Sequence, residues 1–361
     1  MHLAQFAVST AFLYEELEEI IYMRQPEGYD DSSSRVCQLK KSLYGLKQAP
    51  RCWNKRFGNF FSKLGFKVSE ADPCLYIRER DGKKLILVVY VDDGLIGATD
   101  SQDLEVFLKE LKSEFKIISK KAEYFLGLEI KQEENNVKIS QQAYARRILE
   151  RFNFLNCKPI STLMLKSSEI SRTGKDDAKE HKFPYRQAVG SLMYLMLGTR
   201  PDLAYSVGFL SRSLENPSAE DIVRVKRMFR YIAGTIDLGI VYCHKSNKGI
   251  LECFSDADFG GCTKTGRSTS GVVVTYAGGA ISWLSQRQAM VATSTTKAEI
   301  VAANAAAKEV IWLSKLFEGI AKLKQIPVLQ VDNSAAVRLA QNLEFYRRNI
   351  LRSNTFLFER R

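Results

Sequence analysis

The sequence has no run of about 18 uncharged apolar residues, the length a helix needs to span a bilayer, so no membrane segment is expected. Its first residues, Met1-His2-Leu3-Ala4-Gln5-Phe6, lack the basic stretch and apolar core of a secretory signal, and an intracellular protein is the expectation. Histidine is scarce: His2, His181 and His244 are isolated from one another and form no ligand-spaced cluster with cysteine. The seven cysteines are odd in number and include no Cys-x-x-Cys, which argues against zinc and suits a reducing compartment.

What is present describes a globular chain with sizeable cores. At 361 residues, 45% hydrophobic and 26% charged, it has room for two domains or for one domain and a large appendage. Lysine and arginine number 53 against 41 acidic residues, a formal charge of +12. The excess is spread over Arg35 to Arg51, Lys109 to Lys121, Arg224 to Arg230 and Arg347 to Arg361, which suits an extended polyanion such as nucleic acid better than one small patch. Plain solubility is the alternative.

The stretch around which the chain is organised runs Leu85-Ile86-Leu87-Val88-Val89-Tyr90-Val91-Asp92-Asp93-Gly94-Leu95-Ile96-Gly97. An apolar run without helical period predicts a strand buried on both faces, then acid at the tip of a hairpin, then a second strand. Two adjacent carboxylates repel each other and lose solvation, so they call for a positive neighbour, most simply a divalent cation. A solvated Asp93-Gly94 turn is the alternative.

Elsewhere the pattern alternates between strands and helices. Ser42 to Arg51 is a basic-aromatic turn, and Trp53-Asn54-Lys55-Arg56-Phe57-Gly58-Asn59-Phe60-Phe61 continues it as a helix with an aromatic face, suited to stacking and phosphate contacts or simply to a core. A helix over 101–116, a hairpin over 125–140 and a helix over 141–152 follow, and the polar segment 158–183 is a linker candidate. Three helices at about 184–198, 201–214 and 218–233 are predicted to expose basic faces near Arg224, Lys226, Arg227 and Arg230.

The last third brings a strand ending in Ser255-Asp256-Ala257-Asp258, a hairpin over 272–283, a long helix over 295–319 and a strand ending in Asp332-Asn333. Glu299 shares a helical stripe with Ala303, Ala306, Val310, Leu313 and Phe317. A carboxylate on an apolar face is costly unless paired, which favours a metal ligand over a surface charge. Asp256, Glu299 and Asp332 could then converge on one edge of a mixed sheet, as two-metal phosphodiester chemistry requires.

Tyr90-Val91-Asp92-Asp93, Ser42-Leu43-Tyr44-Gly45-Leu46-Lys47-Gln48-Ala49-Pro50-Arg51, Phe125-Leu126-Gly127-Leu128-Glu129-Ile130, Ser255-Asp256-Ala257-Asp258 and Thr295-Thr296-Lys297-Ala298-Glu299 together resemble the polymerase and ribonuclease H portion of copia-type retrotransposon polyproteins, over almost the whole chain. The resemblance implies an α+β protein. A reverse transcriptase palm with its following hairpin and helix would occupy 1–157, a linker and helical connection 158–245, and a ribonuclease H-like α/β domain with a mixed sheet 246–361.

It further implies that Asp92 and Asp93 are polymerase metal ligands, that Phe12 lies under the nucleotide sugar and that Gln48 contacts the incoming nucleotide. Asp256, Glu299 and Asp332 would be ribonuclease H ligands for Mg2+ or Mn2+, with RNA, DNA or an RNA–DNA hybrid as partner. The sequence also departs from the family. Ala7 stands where the family has a metal-binding aspartate, and Glu15, at a position usually held by glycine, lies too far along to replace it. The basic fingers segment that precedes this block in the family is not in the sequence, nor is a fourth ribonuclease H carboxylate near Ile350-Leu351-Arg352-Ser353. Lys297 replaces the usual glutamate, a positive neighbour that would compete with the cation. A degenerate copy is expected, with polymerase activity lost and metal bound weakly; a hybrid-specific nuclease and a non-catalytic nucleic-acid scaffold are the alternatives.

Overall fold

A computed structural model describes residues 1–164, 183–246 and 249–341, and the backbone of 357–360. The linker candidate lies, over 165–182, outside the described residues, as does Ile350-Leu351-Arg352-Ser353. The chain forms two compact units, Met1–Phe125 and Leu126–Arg361.

The first unit is a sheet covered on one face by two helices. Its elements are β1 (His2–Val8), β2 (Glu16–Met23), β3 (Cys37–Lys41), α1 (Ala49–Lys63), β4 (Lys67–Val68), β5 (Leu75–Arg80), β6 (Lys83–Tyr90), β7 (Asp93–Ala98), α2 (Ser101–Glu114), β8 (Ile117–Lys121) and β9 (Tyr124–Phe125). Six strands pair antiparallel in the order β4-β5-β6-β7-β1-β8, and β2 and β3 form a separate ribbon. Asp81-Gly82 turns β5 into β6 with both residues at positive φ, 50° and 72°, as a tight hairpin demands.

Pro50 starts α1, where its missing N–H costs nothing, and the Asp100 side chain caps α2 by accepting from Asp103 N at 2.9 Å. Trp53, Phe57, Phe60 and Phe61 are all buried, with Trp53 stacked on Phe57 at 4.5 Å and Phe115 set edge-on to Phe57 at 5.3 Å. The aromatic face of α1 is therefore core and offers no platform for bases. Along β6, Leu85, Leu87 and Val89 are buried while Ile86 and Val88 are half-buried and Tyr90 is exposed. The expectation of a strand buried on both faces is corrected: an apolar run without alternation here covers one closed face and one partly open one.

The second unit holds β10 (Leu128–Gln132), β11 (Asn136–Ser140), α3 (Gln142–Arg151), α4 (Tyr185–Gly198), α5 (Ala204–Leu210), α6 (Ala219–Ala233), β12 (Gly239–Cys243), β13 (Glu252–Ala257), β14 (Thr269–Tyr276), β15 (Gly279–Arg287), α7 (Thr295–Ile320), β16 (Val328–Val331), α8 (Ser334–Gln341) and β17 (Leu357–Arg360). Strands β10, β11 and β12 pair antiparallel. Leu149 on α3 shares a core with Leu192, Val207 and Phe229 from α4, α5 and α6, so the 141–152 helix packs with the helices after it. The helix predicted over 201–214 is a 3-10 turn at Pro201–Leu203, the short α5 and a second 3-10 turn at Ser211–Ser213.

Arg224 is not on an exposed face. It is buried on α6 and paired with Glu220 at 3.0 Å and Asp221 at 3.3 Å, while Asp221 also completes a capping box with Ser218.

The main sheet runs β15-β14-β13-β16-β17, antiparallel through β13 and parallel from β13 to β17. Helix α7 lies on one face, burying Ala303, Ala306, Val310, Leu313 and Phe317 against Leu251, Cys253, Val272, Val274, Leu329 and Val331.

Two candidate carboxylate centres

The register Tyr90↔Asp93 makes Val91-Asp92 the two-residue turn of the β6–β7 hairpin. The Asp93-Gly94 alternative is thereby excluded: Asp93 opens β7 and Gly94 lies within it. A Cβ on Gly94 would fall 2.2 Å from the Phe6 ring, so the glycine admits that ring to the core. Val91 has φ 56°, unusual for a β-branched residue, and its carbonyl accepts from Trp53 Nε1 at 2.5 Å. The acidic turn thus hangs on the first turns of α1.

Ala7 on β1 pairs directly with Asp93, and Val8 N donates to the Asp92 carbonyl at 2.8 Å. Directly opposed residues in an antiparallel pair have Cβ atoms about 5 Å apart, so a methyl group faces the Asp93 carboxylate. Burial, and then the charge of Asp92, pushes the Asp93 carboxyl above its usual range. The Glu15 carboxylate lies 3.8 Å from Arg56 Nε. Phe12 is half-buried and tilted against Tyr44 at 4.7 Å, and with Trp53, Tyr76 and Val91 it lines a pocket of about 160 Å³. Gln48 sits at the start of α1, where its carbonyl accepts from Cys52 N at 3.0 Å, and does not line that pocket.

In the second unit the three acids singled out from spacing do meet. Asp256 at the end of β13, Glu299 in the second turn of α7 and Asp332 after β16 bring carboxylate oxygens within 4.8 Å of one another. The strand-end acids are exposed, whereas Glu299 is 6% exposed. Glu299 Oε1 accepts from Ala257 N at 3.2 Å, and its Oε2 is buried without a partner among the described residues.

Burial drives the Glu299 carboxyl up to about 7; the Ala257 N–H opposes that, and the charges of Asp256 and Asp332 add to it. Three convergent oxygen ligands, one with an orphaned buried atom, fit a hard divalent cation. Asp256 and Asp332 border a cleft of about 630 Å³ lined also by Asp258, Gly271 and Tyr205. Asp258 is occupied in holding Thr269 N. Lys297 lies in the first turn of α7, where its N–H donates to the capping Ser294. Tyr205 was not singled out from the sequence, because only the packing of α5 near β15 brings it to this cleft.

Residues 1–166 match the family described as reverse transcriptase (RNA-dependent DNA polymerase). The chain is 39% identical to the retrovirus-related Pol polyprotein from transposon TNT 1-94 of Nicotiana tabacum, over 96% of this chain and 27% of that one. To the corresponding polyprotein from transposon RE1 of Arabidopsis thaliana it is 36% identical, over 95% of this chain and 24% of that one, so it spans about a quarter of these relatives' length. A putative transposon Ty5-1 protein of Saccharomyces cerevisiae is 30% identical over 84% of this chain and 99% of its own. Among solved structures, LC11-RNase H1, isolated from compost, is matched over 31% of this chain and 84% of its own at 16% identity and a TM-score of 0.25. With relatives of this kind aligned along nearly its whole length, the chain belongs to the copia-type retrotransposon Pol family.

Proposed function

We propose that this chain is a retrotransposon-derived reverse transcriptase and ribonuclease H protein that binds RNA or an RNA–DNA hybrid and does not extend a primer. The first unit is then a palm lacking one carboxylate, the helices of 183–233 are the connection, and the mixed sheet with α7 is the ribonuclease H-like domain. The observation that carries this reading is the direct pairing of Ala7 with Asp93. Phosphoryl transfer depends on positioning and on neutralising charge, and a methyl group supplies neither. Asp92 and Asp93 would hold Mg2+ or Mn2+ weakly. Phe12, backed by Tyr44, would stand under a nucleotide sugar, and Gln48 would contact the nucleotide.

A second activity is favoured by the convergence of Asp256, Glu299 and Asp332: metal-dependent cleavage of the RNA strand of a hybrid. Bound divalent metal would supply charge neutralisation and an activated water. The protein's part is to hold it: Asp256 and Asp332 from the exposed strand ends, Glu299 from the sheet's covered side. The Ala257 N–H engages one Glu299 oxygen and leaves the other available. Incubating the full chain with a labelled RNA–DNA hybrid and MnCl2 tests this. Binding with cleavage abolished by Asp256→Asn supports it; cleavage that survives that substitution contradicts the nuclease site, and failure to bind the hybrid contradicts both readings.

A further inference from the structure

Gln288 follows β15 and is 5% exposed. Its backbone N–H donates to the Ser268 carbonyl at 2.8 Å, and its side-chain Nε2 donates to Ser270 Oγ at 3.0 Å and to the Ala298 carbonyl at 2.9 Å. A carbonyl only accepts, so the bond to Ala298 fixes which end of the amide carries the nitrogen. Ser270 is the cross-strand partner of Ala257, whose N–H donates to Glu299 Oε1, and Glu299 follows Ala298 in the chain. The links close a ring through Gln288, Ser270, Ala257, Glu299 and Ala298.

We propose that Gln288 is a positioning residue for the carboxylate centre, tying the start of α7 to β14 so that Glu299 meets Asp256 and Asp332. Space-filling alone would be served better by an apolar side chain of similar length. Gln288 Oε1 is buried without a partner among the described residues, an unfavourable state that methionine would avoid. What the amide offers instead is a pair of donor bonds, one to the strand and one to the helix. The consequence for metal rests on the nuclease reading above; the geometric claim does not.

The test compares the full chain with Gln288→Met in two measurements. One is amide hydrogen exchange at Ala257, whose N–H reports the bond to Glu299; the other is titration with MnCl2 alone. Losing the tie is expected to speed exchange at Ala257 about tenfold while Cys253 and Phe254 on the same strand keep their rates, and to weaken Mn2+ binding about tenfold. Unchanged exchange at Ala257 overturns the proposal. So does a uniform loss of protection along β13 and β14, which would mark a merely structural role. If the unaltered chain takes up no Mn2+, the nuclease reading fails while the exchange comparison still decides the positioning role. Should Gln288→Met fail to fold, Gln288→Asn, one methylene too short to reach both partners, is held to the same expected and overturning outcomes.

Discussion

Glu299 shows how one buried acid can make a site depend on pH. Its carboxyl titrates at about 7 in the folded chain against a usual 4.5, so the folded state holds a proton that the unfolded state has released between those values. Stability of the metal-free second unit should therefore be highest below pH 4.5 as far as Glu299 is concerned, fall as pH rises to about 7, and level off above it. The loss is expected to be on the order of 1–3 kcal/mol, and a thermal melt across that range measures it. Glu299→Gln should flatten the profile, and Mn2+ should restore stability at pH 7 by mass action. Asp93 is shifted the same way for the same first cause, burial, and pairs with Ala7 across the strands.

At the scale of elements, α1 and the β6–β7 hairpin depend on each other through Trp53 Nε1 and the Val91 carbonyl. Trp53→Phe keeps an aromatic in the core but removes that bond, leaving Val91 at positive φ with less to hold it. We expect a loss of about 1 kcal/mol or more by denaturant unfolding, with the hairpin amides losing exchange protection before the rest of the sheet. Val91 also marks a limit of the sequence. An apolar run and turn chemistry locate a hairpin with acid at its tip, but Asp93-Gly94 is a stronger local turn signal than Val91-Asp92, and the bond that engages the Val91 carbonyl comes from a residue 38 positions away. By contrast, α7 was legible because one helical stripe from Glu299 to Phe317 carries both its core and its acid. Arg224, predicted on an exposed face, is instead buried with partners, Glu220 and Asp221, that stand four and three residues earlier on the same helix.

Arg78, Arg200 and Arg224 are buried, and each is paired with acid, so these arginines are engaged internally and a polyanion would have to be met by other cations of this chain of formal charge +12. Binding of an RNA–DNA hybrid should weaken steeply with salt; if about five phosphates are neutralised, log K falls against log salt with a slope of about −4.5. A slope near zero would show that the surplus serves solubility. The convergence of the second centre was foreseeable because strand ends and a helix stripe set its acids, whereas the ring through Gln288 was not, since it joins a strand end, a neighbouring strand and a helix start through bonds no periodicity encodes. The pairing of Ala7 with Asp93 is the point on which the proposed loss of polymerisation stands. Primer extension tests it most directly: the unaltered full chain, with a DNA primer on an RNA template at saturating concentration and with Mg2+ or Mn2+, is expected to add no nucleotide above a protein-free control, and extension of the primer would contradict the account.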